Sequence, residues 1–200
     1  YSSHLVEAGF VQGIASACVF RHPTRNIAVS VHGDDFTATG PKPQLDWCEG
    51  MLRGHYELTV GRRLGPGPHD DKEATVLNRV IRWTDSGVEY EADPRQVERL
   101  LEELELDSEG VNGVVTPGVK VPAHRVQNEK ELPDSEHTRF RALAARANFL
   151  AADRPDGVML APKDVCRFIA EPIDVAFSAL KRLGRYLKAQ PRPVHQYDRQ

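Results

Sequence analysis

Ile27-Ala28-Val29-Ser30-Val31-His32-Gly33-Asp34-Asp35-Phe36-Thr37-Ala38-Thr39-Gly40 reads as strand, tight turn, strand. Ile27, Val29 and Val31 alternate with small residues on the way in, and Phe36, Thr37 and Thr39 are strand formers on the way out. Between them stands a glycine followed by two adjacent carboxylates. Gly33 suits a turn that needs positive φ, and Asp tolerates turn geometry. Two carboxylates on a rigid hairpin tip, Asp34 and Asp35, are hard oxygen donors of the kind Mg²⁺ takes. Paired metal ions of that sort assist phosphoryl transfer. An ordinary polar hairpin turn is the plain alternative.

Outward towards the N-terminus, Ala15 to Phe20 is expected to form a strand, turning at Pro23 to Asn26 into the Ile27 strand. Tyr1 to Gln12 fits the end of a helix. Outward in the other direction, Gly40-Pro41-Lys42-Pro43 breaks the second strand. Leu45, Cys48, Met51, Leu52 and His55 then follow at helical spacing. Tyr56 to Val60 reads as a strand and Gly61 to Asp71 as a loop, whose His69-Asp70-Asp71 only superficially resembles a metal motif. Thr75 to Trp83 alternates as one strand, Asp85-Ser86-Gly87 turns, and Val88 to Glu91 returns. Asp93 caps a helix with Pro94 in its first turn and Val97, Leu100, Leu101 and Leu104 as its apolar stripe. The acidic outer face, Glu98, Glu102, Glu103 and Glu105, reads as a solvated face.

Asp107 to Glu131 reads as a linker holding Thr116-Pro117. Phe140, Leu143, Ala144, Ala147 and Leu150 mark a helix that breaks at Asp153-Arg154-Pro155-Asp156. Val165, Phe168 and Ile169 belong to another, and Val175, Leu180, Leu183, Tyr186 and Leu187 to a last one. The polar side of that last helix is nearly all basic: Lys181, Arg182, Arg185 and Lys188, with Arg192 following. It is the candidate surface for nucleic-acid phosphates, against the alternative of a solvated helix face.

With 26 Lys+Arg against 29 Asp+Glu, the formal charge of -3 argues against binding nucleic acid over the whole surface. It leaves a local basic patch open. The three cysteines, Cys18, Cys48 and Cys166, are far apart and odd in number, so neither a disulfide framework nor a thiolate metal site is expected. Each sits among apolar residues and is expected to be a buried free thiol, which favours a reducing compartment. No apolar run is long enough to span a bilayer. The sequence begins without Met inside a structured segment, and the expectation is a fragment of a longer polypeptide.

Four stretches, in order, resemble the reverse transcriptase of copia-type LTR retrotransposons. They are Gly9 to Gln12 with Cys18-Val19-Phe20; Val29 to Gly40; Val97 to Leu106 with Thr116-Pro117; and Phe140-Arg141 through Asp153-Arg154-Pro155-Asp156, with Cys166-Arg167-Phe168, Pro172, Leu180 to Leu183 and Arg185 to Lys188. The resemblance implies an α+β fold. A partial palm with the Asp-Asp hairpin would cover 1–74, a strand hairpin and thumb helix with linker 75–125, and a helical connection region 126–200. It implies that Asp34 and Asp35 are catalytic and bind Mg²⁺ (or Mn²⁺) at the site of nucleotidyl transfer, Asp34 being the firmer ligand. The implied partners are an RNA or DNA primer-template, dNTPs and the rest of a Pol polyprotein, with no membrane. The implied location is intracellular, in cytoplasmic virus-like particles or the nucleus.

The departures from the family are specific. His32-Gly33 stands where the family has Tyr-Val, and Gly-Asp-Asp is also similar to viral RNA-dependent RNA polymerases. The family's third catalytic aspartate and its fingers lie upstream of the residues matched here, and its ribonuclease H domain downstream. Gly157 replaces the family's usual apolar residue after Arg-Pro-Asp, and Asn148 and Arg146 interrupt an otherwise apolar stretch. The expected function is therefore a fragment of an RNA-directed DNA polymerase, inactive alone. The alternative is a non-catalytic retrotransposon remnant acting at most as a nucleic-acid-binding or interaction module.

Overall fold

The computed structural model describes residues 1–120, 130–154 and 156–199. Six helices and two four-stranded antiparallel sheets are found among them, so the chain is mixed α and β. It divides into two compact units, Tyr1–Gly61 and Arg62–Gln200. The expected boundary after residue 74 falls inside a strand, Glu73–Val76. The one after residue 125, part of the 107–131 linker, and Pro155 of the helix break lie outside the described residues.

The first unit runs α1 (Ser2–Glu7), β1 (Val11–Gln12), β2 (Val19–His22), β3 (Ile27–His32), β4 (Asp35–Thr39) and α2 (Lys42–Arg53). The sheet follows chain order, β1-β2-β3-β4. Every second residue of β3, Ile27, Val29 and Val31, is buried, and with Phe20 they form a core with Leu5 of α1 and Cys48 and Leu52 of α2. One sheet face is thereby covered by helices, as the period-2 pattern requires. Three expectations are corrected. β2 begins only at Val19, because Gly13 N–H donates to Val19 O and Val19 N–H to Ser16 O, which turns the chain just before it. Tyr56–Val60 forms no strand: its alternation meets no neighbouring edge, and Tyr56 instead hydrogen-bonds His4 Nδ1 through its hydroxyl at 2.7 Å. Cys18 is exposed, while Cys48 is buried and Cys166 half-buried; burial pushes the Cys48 thiol up.

The second unit runs β5 (Glu73–Val76), β6 (Arg79–Trp83), β7 (Gly87–Glu91), α3 (Pro94–Glu103), α4 (Asp134–Ala151), α5 (Leu160–Cys166), α6 (Asp174–Ala189) and β8 (Val194–Asp198). The stretch from Thr75 to Trp83 is not one strand. Leu77 and Asn78 both take positive φ, 49° and 67°, and fold β5 onto β6. The final strand, absent from the sequence reading, adds to β7, giving the order β5-β6-β7-β8. Asp93 caps α3 by accepting from Arg95 N–H at 3.1 Å. The helices share one apolar core, with Leu100 and Leu104 from α3, Phe140 and Leu143 from α4, and Leu180 and Leu183 from α6. The acidic side of α3 is not wholly solvated. Glu103 meets Arg146 of α4 at 2.8 Å, and Glu105, just beyond α3, meets Arg139 at 3.1 Å, which accounts for Arg146 in an otherwise apolar stretch.

Candidate functional site

The β3–β4 hairpin closes with the two-residue turn Gly33-Asp34 between the paired residues His32 and Asp35. Gly33 has φ 62° and Asp34 is not in the left-handed region, the pattern of a type II′ turn, which matches the twist of the flanking strands. Register assigns the faces. Val31 pairs with Phe36 towards the core, so His32 and Asp35 pair on the uncovered face, together with Ser30 and Thr37. Asp34 and Asp35 are both exposed, and among the described residues no other side chain pairs with either. No group of three or more His, Cys, Asp or Glu side chains able to hold a metal is found among the described residues. Two exposed carboxylates are hard oxygen donors of the type Mg²⁺ takes, the remaining positions being filled by water or phosphate oxygens. β4 ends the sheet, with no strand on its outer edge among the described residues.

The second candidate, the basic side of α6, is built by the burial of Leu180, Leu183 and Leu187, which turns Lys181, Arg182, Arg185 and Lys188 away from the helical core. Three of the four cations are engaged within the unit. Arg182 Nη2 donates to Thr116 Oγ1 at 2.7 Å, and Arg185 Nε to Asn112 O at 2.7 Å. Lys188 Nζ donates to Leu106 O at 2.9 Å and to Ser108 O. They hold residues 106–116 along the helix, and Gly113 passes so close that a Cβ there would meet Ala189 Cβ at 2.6 Å. Their partners are neutral oxygens, and among the described residues none of the three meets a carboxylate, so the positive charge is oriented but not cancelled. Lys181 is exposed, with its ammonium 5.0 Å from the Phe177 ring centroid.

The residues around the helix break do structural work. The buried Arg154 guanidinium donates to Asp156 at 2.7 Å and to Gln190 O at 2.6 Å, and Tyr186 O–H donates to Asp156 at 3.0 Å. This ties the end of α6 to the segment after α4. Burial pushes the Asp156 carboxyl up, but the Arg154 guanidinium, the Tyr186 hydroxyl and a backbone amide together outweigh it and the net direction is down. Asp153 accepts from Arg79 Nη2 at 2.7 Å and from Tyr90 O–H at 2.9 Å, joining the sheet of the second unit to its helices. In the Gly61 to Asp71 loop the carboxylates are spent on backbone: Asp70 accepts from Gly67 N–H at 2.8 Å and Asp71 from Arg63 N–H at 3.1 Å.

The sequence reading missed one assembly, the face of the second sheet that carries Trp83, Tyr90, His195 and Tyr197. The alternation of β6 and β7 signals half of it. The other half comes from β8, whose five residues follow a helix with no turn signal to mark them. No family model, no curated protein and no solved structure matches the chain.

Proposed function

We propose that the chain is part of a metal-dependent nucleotidyltransferase, its first unit carrying the carboxylate hairpin of a polymerase palm. More particularly, we read it as a fragment of an RNA-directed DNA polymerase of the copia-type retrotransposon class. The observation that carries the reading is the position of Asp34 and Asp35. They stand exposed at the tip of an antiparallel hairpin whose other face is backed by helices.

Asp34 and Asp35 would hold Mg²⁺ (or Mn²⁺), which when bound lowers the pKa of a primer 3′-hydroxyl and steadies the pyrophosphate leaving group. Asp34 lies in the turn and Asp35 opens β4, so the two carboxylates are neighbours at the hairpin tip. His32, paired with Asp35 across the hairpin, would alter the contact with the primer end. The substrates under this reading are a primer-template and dNTPs. A third carboxylate would come from another strand, and the outer edge of β4, unpaired among the described residues, would offer such a strand its backbone donors and acceptors.

The reading has a two-part test. Titrating Mn²⁺ into the isotope-labelled chain should broaden the amide signals of residues 33–36 first, and Asp34→Asn should remove that selectivity. Supplied with Mg²⁺, primer-template and dNTPs, the chain alone should not extend the primer. Absence of broadening at the hairpin would overturn the metal assignment. Extension abolished by Asp34→Asn would overturn the view that these residues need a further carboxylate.

A further inference from the structure

The two faces of the β5-β6-β7-β8 sheet differ sharply in chemistry. Trp83 pairs with Val88, and Val88 with Tyr197; in the next row Ile81 pairs with Tyr90, and Tyr90 with His195. Paired residues share a face, so these side chains stand together. The strand carboxylates Glu73, Glu89, Glu91 and Asp198 alternate onto the opposite face. Asp153, which reaches the aromatic face from the end of α4, is neutralised by Arg79 at 2.7 Å. Beyond β8, Arg199 lays its guanidinium 5.0 Å from the centroid of the Trp83 ring, so the face also carries a cation.

An apolar sheet face is ordinarily a core face, but this one is not closed. Trp83, Val88 and His195 are only partly buried, and Tyr197 is 57% exposed. None of them belongs to the hydrophobic core of the helices. His195 and Tyr197 hold their rings nearly parallel, 18° apart with centroids at 6.0 Å. One exposed ring with partly buried rings beside it, a guanidinium and no strand carboxylate on that face suit a ligand that is flat, aromatic and anionic along its length. Unpaired bases on a phosphate chain have that chemistry, because every base has a face to stack and the strand keeps its charge. We propose that this face binds single-stranded nucleic acid, with bases stacking on Tyr197, His195 and Trp83 and the phosphate chain passing Arg199. The face belongs to the second unit and the hairpin to the first, and the proposed binding does not depend on the hairpin carboxylates.

The test is fluorescence anisotropy of a short labelled oligo(dT), and in a second arm oligo(rU), with the full chain. Either oligonucleotide should bind, and Tyr197→Ala should weaken binding by roughly 5- to 100-fold. Tyr197→Phe should retain it, because the ring and not the hydroxyl is used, and Gln196→Ala on the opposite face should not change it. Three results would overturn the proposal. One is equal affinity of Tyr197→Ala and the parent. Another is a duplex of the same length competing as well as the single strand. The third is a dimer seen by sedimentation that Tyr197→Ala dissolves while oligonucleotide affinity stays put, which would assign the face to a second copy of the chain.

Discussion

Glu91 shows how the second unit uses charge at the scale of one residue. Its side chain is 2% exposed, yet it accepts from Arg192 Nε at 2.6 Å and Nη2 at 2.9 Å and meets Arg82 at 2.7 Å. The Arg192 hydrogen bonds, helped by Arg82 and opposed by burial, hold its carboxyl below the usual carboxylate range. A carboxyl held low in the folded state stabilises the fold above its unfolded pKa of ~4.3, and that contribution fades as pH falls through the lower folded value. Glu91→Gln should therefore cost about 1–3 kcal/mol near neutral pH, with the gap to the parent narrowing in acid. Urea denaturation of both proteins across that range reads it directly. Equal sensitivity to acid in the two would show that Glu91 is not a titrating contributor. Asp93, lowered by Arg95, belongs to the same class.

At the scale of elements, the β5–β6 turn carries avoidable strain. Leu77 sits at φ 49°, a region that costs an ordinary L-residue about 1–2 kcal/mol, while Asn78 tolerates its own. Leu77→Asn should raise stability by roughly 1 kcal/mol, measured as a higher denaturation midpoint with unchanged slope. No gain would mean that the Leu77 side chain makes compensating contacts. The same turn explains why the sequence misled: Leu-Asn is a poor turn signal, so alternation runs unbroken from Thr75 to Trp83. Where chemistry and period agreed, the elements were legible. Asp93-Pro94 announces α3, Gly33-Asp34 announces the hairpin, and the apolar stripe of α4 is buried as its spacing requires. β8 was illegible because its partner lies about a hundred residues back, and no local pattern records a pairing that distant. The hairpin carboxylates were legible as a candidate site. The engagement of Arg182, Arg185 and Lys188 with residues 106–116 was not, because a basic helix face looks the same whether it binds phosphate or its own backbone.

For the whole molecule, a net charge of -3 coexists with one uncancelled basic face. If that face meets duplex nucleic acid, Lys181 is the residue to probe, since it is exposed and holds no backbone. Lys181→Glu should weaken duplex binding and lower the dependence of log affinity on log salt by about one. An unchanged slope would assign the face to solvent. Arg185→Ala is a poor probe by itself, because it also frees Asn112 O and the segment around it. No helix among the described residues is long and apolar enough to cross a membrane. The pairing of Gly87–Glu91 with Val194–Asp198 has a consequence in time as well as space. During synthesis the first three strands of that sheet leave the ribosome long before the fourth is made, and they must wait half-assembled while the some hundred residues that carry α3 to α6 are made behind them. Distant pairings of this kind slow maturation and leave a sticky intermediate open to wrong partners, so the yield of correctly finished chains depends on how that interval is spent.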